Sequence, residues 1–281
     1  MRRHGHVSTI RSRTAGSAAP RHRSTRNVSE NCVIVFLHGF AFGCRSWRPQ
    51  LNVDLGLRVL AYDAIGHGGN RIRSYLSPDL HSESLIEELD SYVASSRAKK
   101  VILVGLSMGG NTAMRYTLRY PEKVAGLVLL STGSDEVEGG RFRSRAARYA
   151  DILEQQGIQG FTAELLGQAR FSGFTLTQRL FAESCISESD PLCLSQVARK
   201  ILAVRRPSLA LLADRPTETQ ALVICGANDP ACVAALPALE RVLPCSRSVT
   251  VPLAGHLCNI EAADQINQLI MGFVRDLKLE A

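Results

Sequence analysis

The feature that most constrains this chain is a repeated exchange between short, nearly apolar runs and segments of helical period. The runs stand at Val33–Leu37, Leu57–Tyr62, Val101–Val104, Leu127–Leu130, Ala221–Cys225 and Ser248–Val251. Between 79 and 96, apolar residues fall at Leu80, Leu85, Ile86, Leu89, Tyr92 and Val93, which lie along one face of a helix. A second helix is expected after residue 107 as far as Arg119, ended by Pro121. Others are expected near 232–242 and from about 262 to 278. Strands with no polar face are covered on both sides, and strands that alternate with helices pair in parallel. The expected fold class is therefore α/β, a mostly parallel sheet with helices on both faces.

The alternation lapses between 134 and 219. That block holds no clear strand and carries helical stretches such as 141–155 and 194–204. The expected organisation is a disordered basic extension over 1–30, a core over 31–133, a helical cap over 134–219, and more core over 220–281. With 45% hydrophobic and 21% charged residues, the chain can build a sizeable core.

The net charge of +7 comes from the amino-terminal end, where seven arginines precede the first acidic residue, Glu30. The remainder is balanced, which argues against nucleic acid as a partner of the body. The eight cysteines show no CxxC pair and no metal-ligand spacing. Cys32 and Cys225 fall in apolar runs and read as small buried hydrophobes, so a reducing, cytoplasmic setting is expected. No run is long and apolar enough to span a membrane, and residues 1–30 lack the apolar middle of a secretory signal.

Gly105-Leu106-Ser107-Met108-Gly109 matches G-x-S-x-G between a strand-like run and a helical one. A sharp turn there lifts the Ser107 hydroxyl above the sheet at a helix N-terminus, where the Met108 N–H can hold an oxyanion. A serine hydroxyl needs a base, and the base needs an orienting carboxylate. Asp229 follows the run 221–225, and His256 follows 248–251, giving the order Ser107, Asp229, His256. Asp135, past 127–130, is a rival for the acid. The Phe40 N–H, after His38-Gly39, is the candidate second oxyanion donor. His38 is expected to brace its loop.

On these residues the chain resembles the α/β-hydrolase superfamily, specifically its serine members with a helical cap. The resemblance covers roughly 32–278 through His38-Gly39-Phe40, Asp63 with Gly66-His67-Gly68, Gly105–Gly110, Gly226–Asp229 and Gly255-His256. It implies that Trp47 packs and that Asp63 and His67 are structural. Gly105–Thr132 and Ala254–Glu261 are similar to β-ketoadipate enol-lactonases, which open a carboxylate-bearing lactone. A serine at 107 disfavours the branches that use an aspartate nucleophile. Two features depart from the family: the hairpin before the first strand is not evident, so six strands are expected instead of eight, and the Gly66 loop lacks its frequent arginine and serine.

Within the insertion, Arg141, Arg145 and Arg148 share a helix face, expected to be solvated; the alternative is a carboxylate clamp over the active site. Phe142, Tyr149, Ile152 and Leu153 could turn an apolar surface toward the catalytic loops. The expected chemistry is two-step acyl transfer to water on a small-molecule ester or lactone, with no metal or organic cofactor. A carbon–carbon hydrolase or lyase/synthase using the same triad, and a non-enzymatic ligand receptor, are the alternatives.

Overall fold

The computed structural model describes residues 31–71, 80–133, 140–277 and 279. Six strands form one sheet: β1 (Cys32–Leu37), β2 (Arg58–Ala61), β3 (Lys100–Leu106), β4 (Val124–Leu130), β5 (Ala221–Gly226) and β6 (Ser246–Val251). Their order is β2-β1-β3-β4-β5-β6, and every pairing is parallel. All six expected runs are strands of this sheet. The basic extension and Asp135 lie outside the described residues.

Two apolar layers explain why the four central strands, β1, β3, β4 and β5, carry no polar face, whereas the edge strands β2 and β6 keep exposed positions such as Arg58 and Arg247. Alternate residues of β1, β3, β4 and β5 (Val33, Val35, Val101, Leu103, Leu127, Leu129, Val223) pack on one side. There they meet α1 (Ser84–Ser95) through Ile86 and Leu89, and α2 (Met108–Arg119) through Ala113 and Met114. The other residues (Ile34, Phe36, Ile102, Val104, Val128, Leu130, Leu222, Ile224) face the opposite way. There they meet Trp47, which is fully buried 4.8 Å from the Phe36 ring, and the carboxyl-terminal helix Ala263–Asp276.

Between β4 and β5 come α3 (Gly140–Leu166), α4 (Leu176–Ile186), α5 (Pro191–Val197) and α6 (Ser208–Asp214). Helix α3 breaks at Gly157, whose φ of 66° lies outside helical space. Leu209 and Leu212 of α6 pack with α2 and with α7 (Pro230–Val242) in the first layer, whereas Phe161 and Leu165 of α3 join the second.

The position of the site follows from the strand order. The chain runs outward from β1 to β2, then returns to β3 on the other side of β1. Leu37 pairs with Gly105, so the loops leaving β1 and β3 begin side by side. Open α/β sheets bind ligands at such a switch point, outside the carboxyl ends of the strands.

Candidate active site

Ser107 stands between β3 and α2 with φ 52° and ψ −107°, a region that non-glycine residues rarely enter. Close packing holds it there. A Cβ on Gly109 would fall 2.1 Å from the Leu37 carbonyl oxygen, so only glycine lets the first turn of α2 rest against the end of β1. Met108 opens α2, where an N–H has no intrahelical acceptor.

Asp229 follows β5 and stands at the N-terminus of α7, without a side-chain cap bond to it. It is 1% exposed, and its Oδ2 lies 2.5 Å from Nδ1 of His256, itself 5% exposed in the loop after β6. Burial alone would raise the Asp229 carboxyl. Its hydrogen bond to His256 and the nearby positive charge, that of Arg170 included, outweigh burial and hold it at about 2. His256 is pushed below its ordinary value by burial and by the charge of Arg170, against the pull of Asp229. Its Nε2 is thus available to take a proton.

Ser107 and His256 line one pocket with Gly39, Phe40 and Met108. Among the described residues Ser107 Oγ makes no hydrogen bond to His256; such contacts often tighten only when substrate is seated. The Phe40 ring is held by α3, lying 5.8 Å from Phe161 and stacked on Tyr149 at 6.4 Å. His38 braces the loop, accepting the Ala64 N–H at Nε2 (2.9 Å) while its Nδ1 meets the Gly39 carbonyl (2.9 Å). Asp63 accepts the Cys44 and Gly69 N–H groups. His67 is fully buried, and its imidazole is pushed down to about 3 by that burial.

One expectation needs correction. Arg141 and Arg148 are exposed, and Arg148 pairs with Glu164 at 3.0 Å, but Arg145 is not on a solvated face. It lies three residues after Phe142 and four before Tyr149, and that stripe of α3 lines the pocket. Its guanidinium stands 5.5 Å over the Phe142 ring. Ile152 and Leu153 are core residues, absent from the pocket wall.

Two further arginines of the wall, Arg170 and Arg205, escaped the sequence analysis, as did Asn111. The Arg205 guanidinium also packs over the Phe142 ring, at 5.2 Å. Asn111 donates to the Ser107 carbonyl at 3.1 Å and leaves a buried Oδ1 unpartnered. Only Asn111, four residues past Ser107 in a helix, could have been placed from spacing. The wall carries three guanidiniums and, among its described residues, no carboxylate.

Asp229, Cys232 and His256 also bring donor atoms within 4.8 Å of one another. The 2.5 Å contact between Nδ1 and Oδ2 is a hydrogen-bond spacing. Two ligands each about 2 Å from a zinc ion stand farther apart than that.

A family model described as the alpha/beta hydrolase family matches residues 34–269. The chain belongs to that family. A Bacillus subtilis (strain 168) protein, provisionally named a 2-succinyl-6-hydroxy-2,4-cyclohexadiene-1-carboxylate synthase, is 28% identical over 89% of this chain and 92% of its own length. In fold, this hydrolase-family chain matches MenH from S. aureus at TM-score 0.79 and 21% identity, over 90% of this chain and 96% of the other. The enol-lactonase from Burkholderia xenovorans LB400 matches at TM-score 0.73 and 21% identity, over 87% and 91%. No helix among the described residues is long and apolar enough to cross a membrane.

Proposed function

We propose that the chain is a small-molecule enzyme in which Ser107, His256 and Asp229 form a catalytic triad acting on a substrate that carries carboxylates. The observation behind this is the wall itself: Arg145, Arg170 and Arg205 line the same pocket as Ser107 and His256. Guanidinium groups suit planar, bidentate recognition of carboxylates. The compound in the Bacillus relative's name carries a ring carboxylate and a succinyl group, which ends in a second one. We therefore favour a synthase reaction of that kind over the ester or lactone hydrolysis expected from sequence alone.

Such a reaction creates a ring diene by elimination. The Ser107 proton passes to His256 Nε2, and the Ser107 oxygen takes a proton from carbon. The freed electron pair moves onto the oxygen of the conjugated succinyl carbonyl, then returns to form the new double bond as the leaving group departs, protonated by His256. Asp229 stabilises the transient imidazolium, and the Phe40 and Met108 N–H groups face the oxyanion that develops.

The oxyanion donors support a second reading, hydrolysis of an ester or lactone. There Ser107 attacks the carbonyl and forms an acyl-enzyme, which water then releases.

Labelling with an alkyl fluorophosphonate tests the triad, because phosphonylation needs an activated serine. Wild type is expected to label and Ser107→Ala not to; equal labelling of both overturns the assignment. The compound named for the Bacillus relative should slow labelling, and its dimethyl ester should not. Protection by the diester alone would reject a carboxylate-reading pocket. Turnover that builds conjugated-diene absorbance separates elimination from hydrolysis.

A further inference from the structure

Arg170 joins the helical insertion to the loop that carries His256. Its carbonyl oxygen accepts the His256 N–H at 3.0 Å. A Cβ on Gly255 would lie 2.2 Å from that oxygen, so the two segments touch backbone to backbone. The guanidinium lies 5.1 Å over the Phe171 ring, and Phe171 meets the His256 ring edge-on at 5.6 Å. The side chain forms part of the pocket wall, and its buried Nε has no hydrogen-bond partner among the described residues. A buried donor without an acceptor is costly and uncommon, and a pocket is where a ligand can supply one.

We propose that Arg170 binds a carboxylate of the substrate and that this contact switches His256 into an effective base. The proposal rests on the triad reading above. With Arg170 uncompensated, its charge opposes the imidazolium that forms when Ser107 gives up its proton. A carboxylate against the guanidinium cancels much of that opposition. The benefit belongs to the charged transition state more than to ground-state binding, so it raises the reaction rate as well as affinity. A neutral analogue of the same shape forgoes it.

The groups around His256 come from several elements. Asp229, before α7, favours its protonated form; Arg170 and Arg145, from the insertion, oppose it. Glu261, past the histidine loop, accepts the Gly255 N–H and adds negative charge near Asp229. Cys225, Cys232 and Cys258 lie near Asp229; burial pushes Cys225 and Cys258 up to about 12 and Cys232 well up, so all three remain neutral thiols. Arg170 is the cation of this set whose own backbone holds the histidine.

Two fluorophosphonates of equal length, one ending in a carboxylate and one in its methyl ester, test the proposal without requiring turnover. The carboxylate probe should label wild type at least tenfold faster than the ester at low ionic strength. Arg170→Gln should lose that preference, and Arg170→Lys should keep part of it. Removing the guanidinium also relieves His256, so the pH midpoint for labelling by the ester probe should move upward in Arg170→Gln. In wild type at saturating probe, where the rate reports the probe-bound protein, the carboxylate probe should show a higher midpoint than the ester probe. An unchanged preference in a folded Arg170→Gln protein, or a midpoint that stays or falls, overturns the proposal. If Arg170→Gln does not fold, the two midpoints in wild type decide: equal midpoints overturn it. The triad reading fails by a different sign, labelling that survives Ser107→Ala, and the proposal then falls with it.

Discussion

At the scale of single residues, the chain holds unfavourable backbone geometry where the chemistry is proposed. Ser107, Ala41 and Ser131 all have positive φ, and each stands in a loop at the carboxyl end of β1, β3 or β4. Such conformations cost on the order of 1–3 kcal/mol each and persist only under close packing. Ser107→Gly should therefore stabilise the fold while abolishing labelling. Glycine gives back about 0.5–1 kcal/mol through its looser unfolded state, so the net gain should be about 1 kcal/mol. For a domain this size that is a rise of roughly 2–4 °C in Tm by calorimetry; a lower Tm would show that Ser107 is not strained. Ser107, Asp229 and His256 could be singled out from sequence because each lies at or shortly past the end of a strand, and strands could be read from apolar runs. Arg170 and Arg205 could not. Arg170 sits in a one-turn 3-10 segment, Ala169–Phe171, and Arg205 follows the π-helical turn Ala198–Leu202. Neither segment has a periodicity that reveals which way a side chain points.

At the scale of elements, the contact between the turn 169–171 and the histidine loop can be tested without touching the triad. Gly255→Ala would place a methyl group 2.2 Å from the Arg170 carbonyl oxygen, so one segment must retreat. The His256 N–H would lose its acceptor, and the imidazole would shift relative to Ser107. A displacement of about 1 Å at a catalytic group can cost on the order of a hundredfold in rate. Labelling by the ester fluorophosphonate should slow by about that factor, with far-ultraviolet circular dichroism unchanged; wild-type labelling rates would show that the contact is incidental. The split of the arginines on α3 belongs to this scale too. Spacing placed Arg141, Arg145 and Arg148 together, but a helix face is broad. Phe142 and Tyr149 decide which stripe is covered, and Arg145 alone of the three lies in that stripe.

At the scale of the whole molecule, the doubly covered sheet was readable from composition and period, because strands buried on two faces leave no room for polar residues. The pH response was not, because it depends on which acids the fold encloses. Glu88 on α1 shows this. It accepts the Ile65 N–H at 2.8 Å and the Asn70 side-chain amide, tying α1 to the loop beyond β2. Burial pushes its carboxyl up to about 7, despite the hydrogen bonds that pull it down. An acid raised in the folded state contributes its full stability below its unfolded value, near 4.5, and loses it as pH rises toward 7. Each unit of displacement is worth roughly 1.4 kcal/mol; with partial exposure discounted, the loss should be on the order of 2 kcal/mol. Glu88→Gln cannot ionise, so its stability relative to wild type should improve between pH 5 and pH 8 by that amount. The amide offers one acceptor oxygen where the carboxylate offered two, a cost that does not vary with pH. The two proteins therefore differ in the slope of stability with pH, whatever their order at any one pH. Urea unfolding of both proteins across that window measures it, and parallel curves would mean that Glu88 titrates in the folded protein as it does in the unfolded chain.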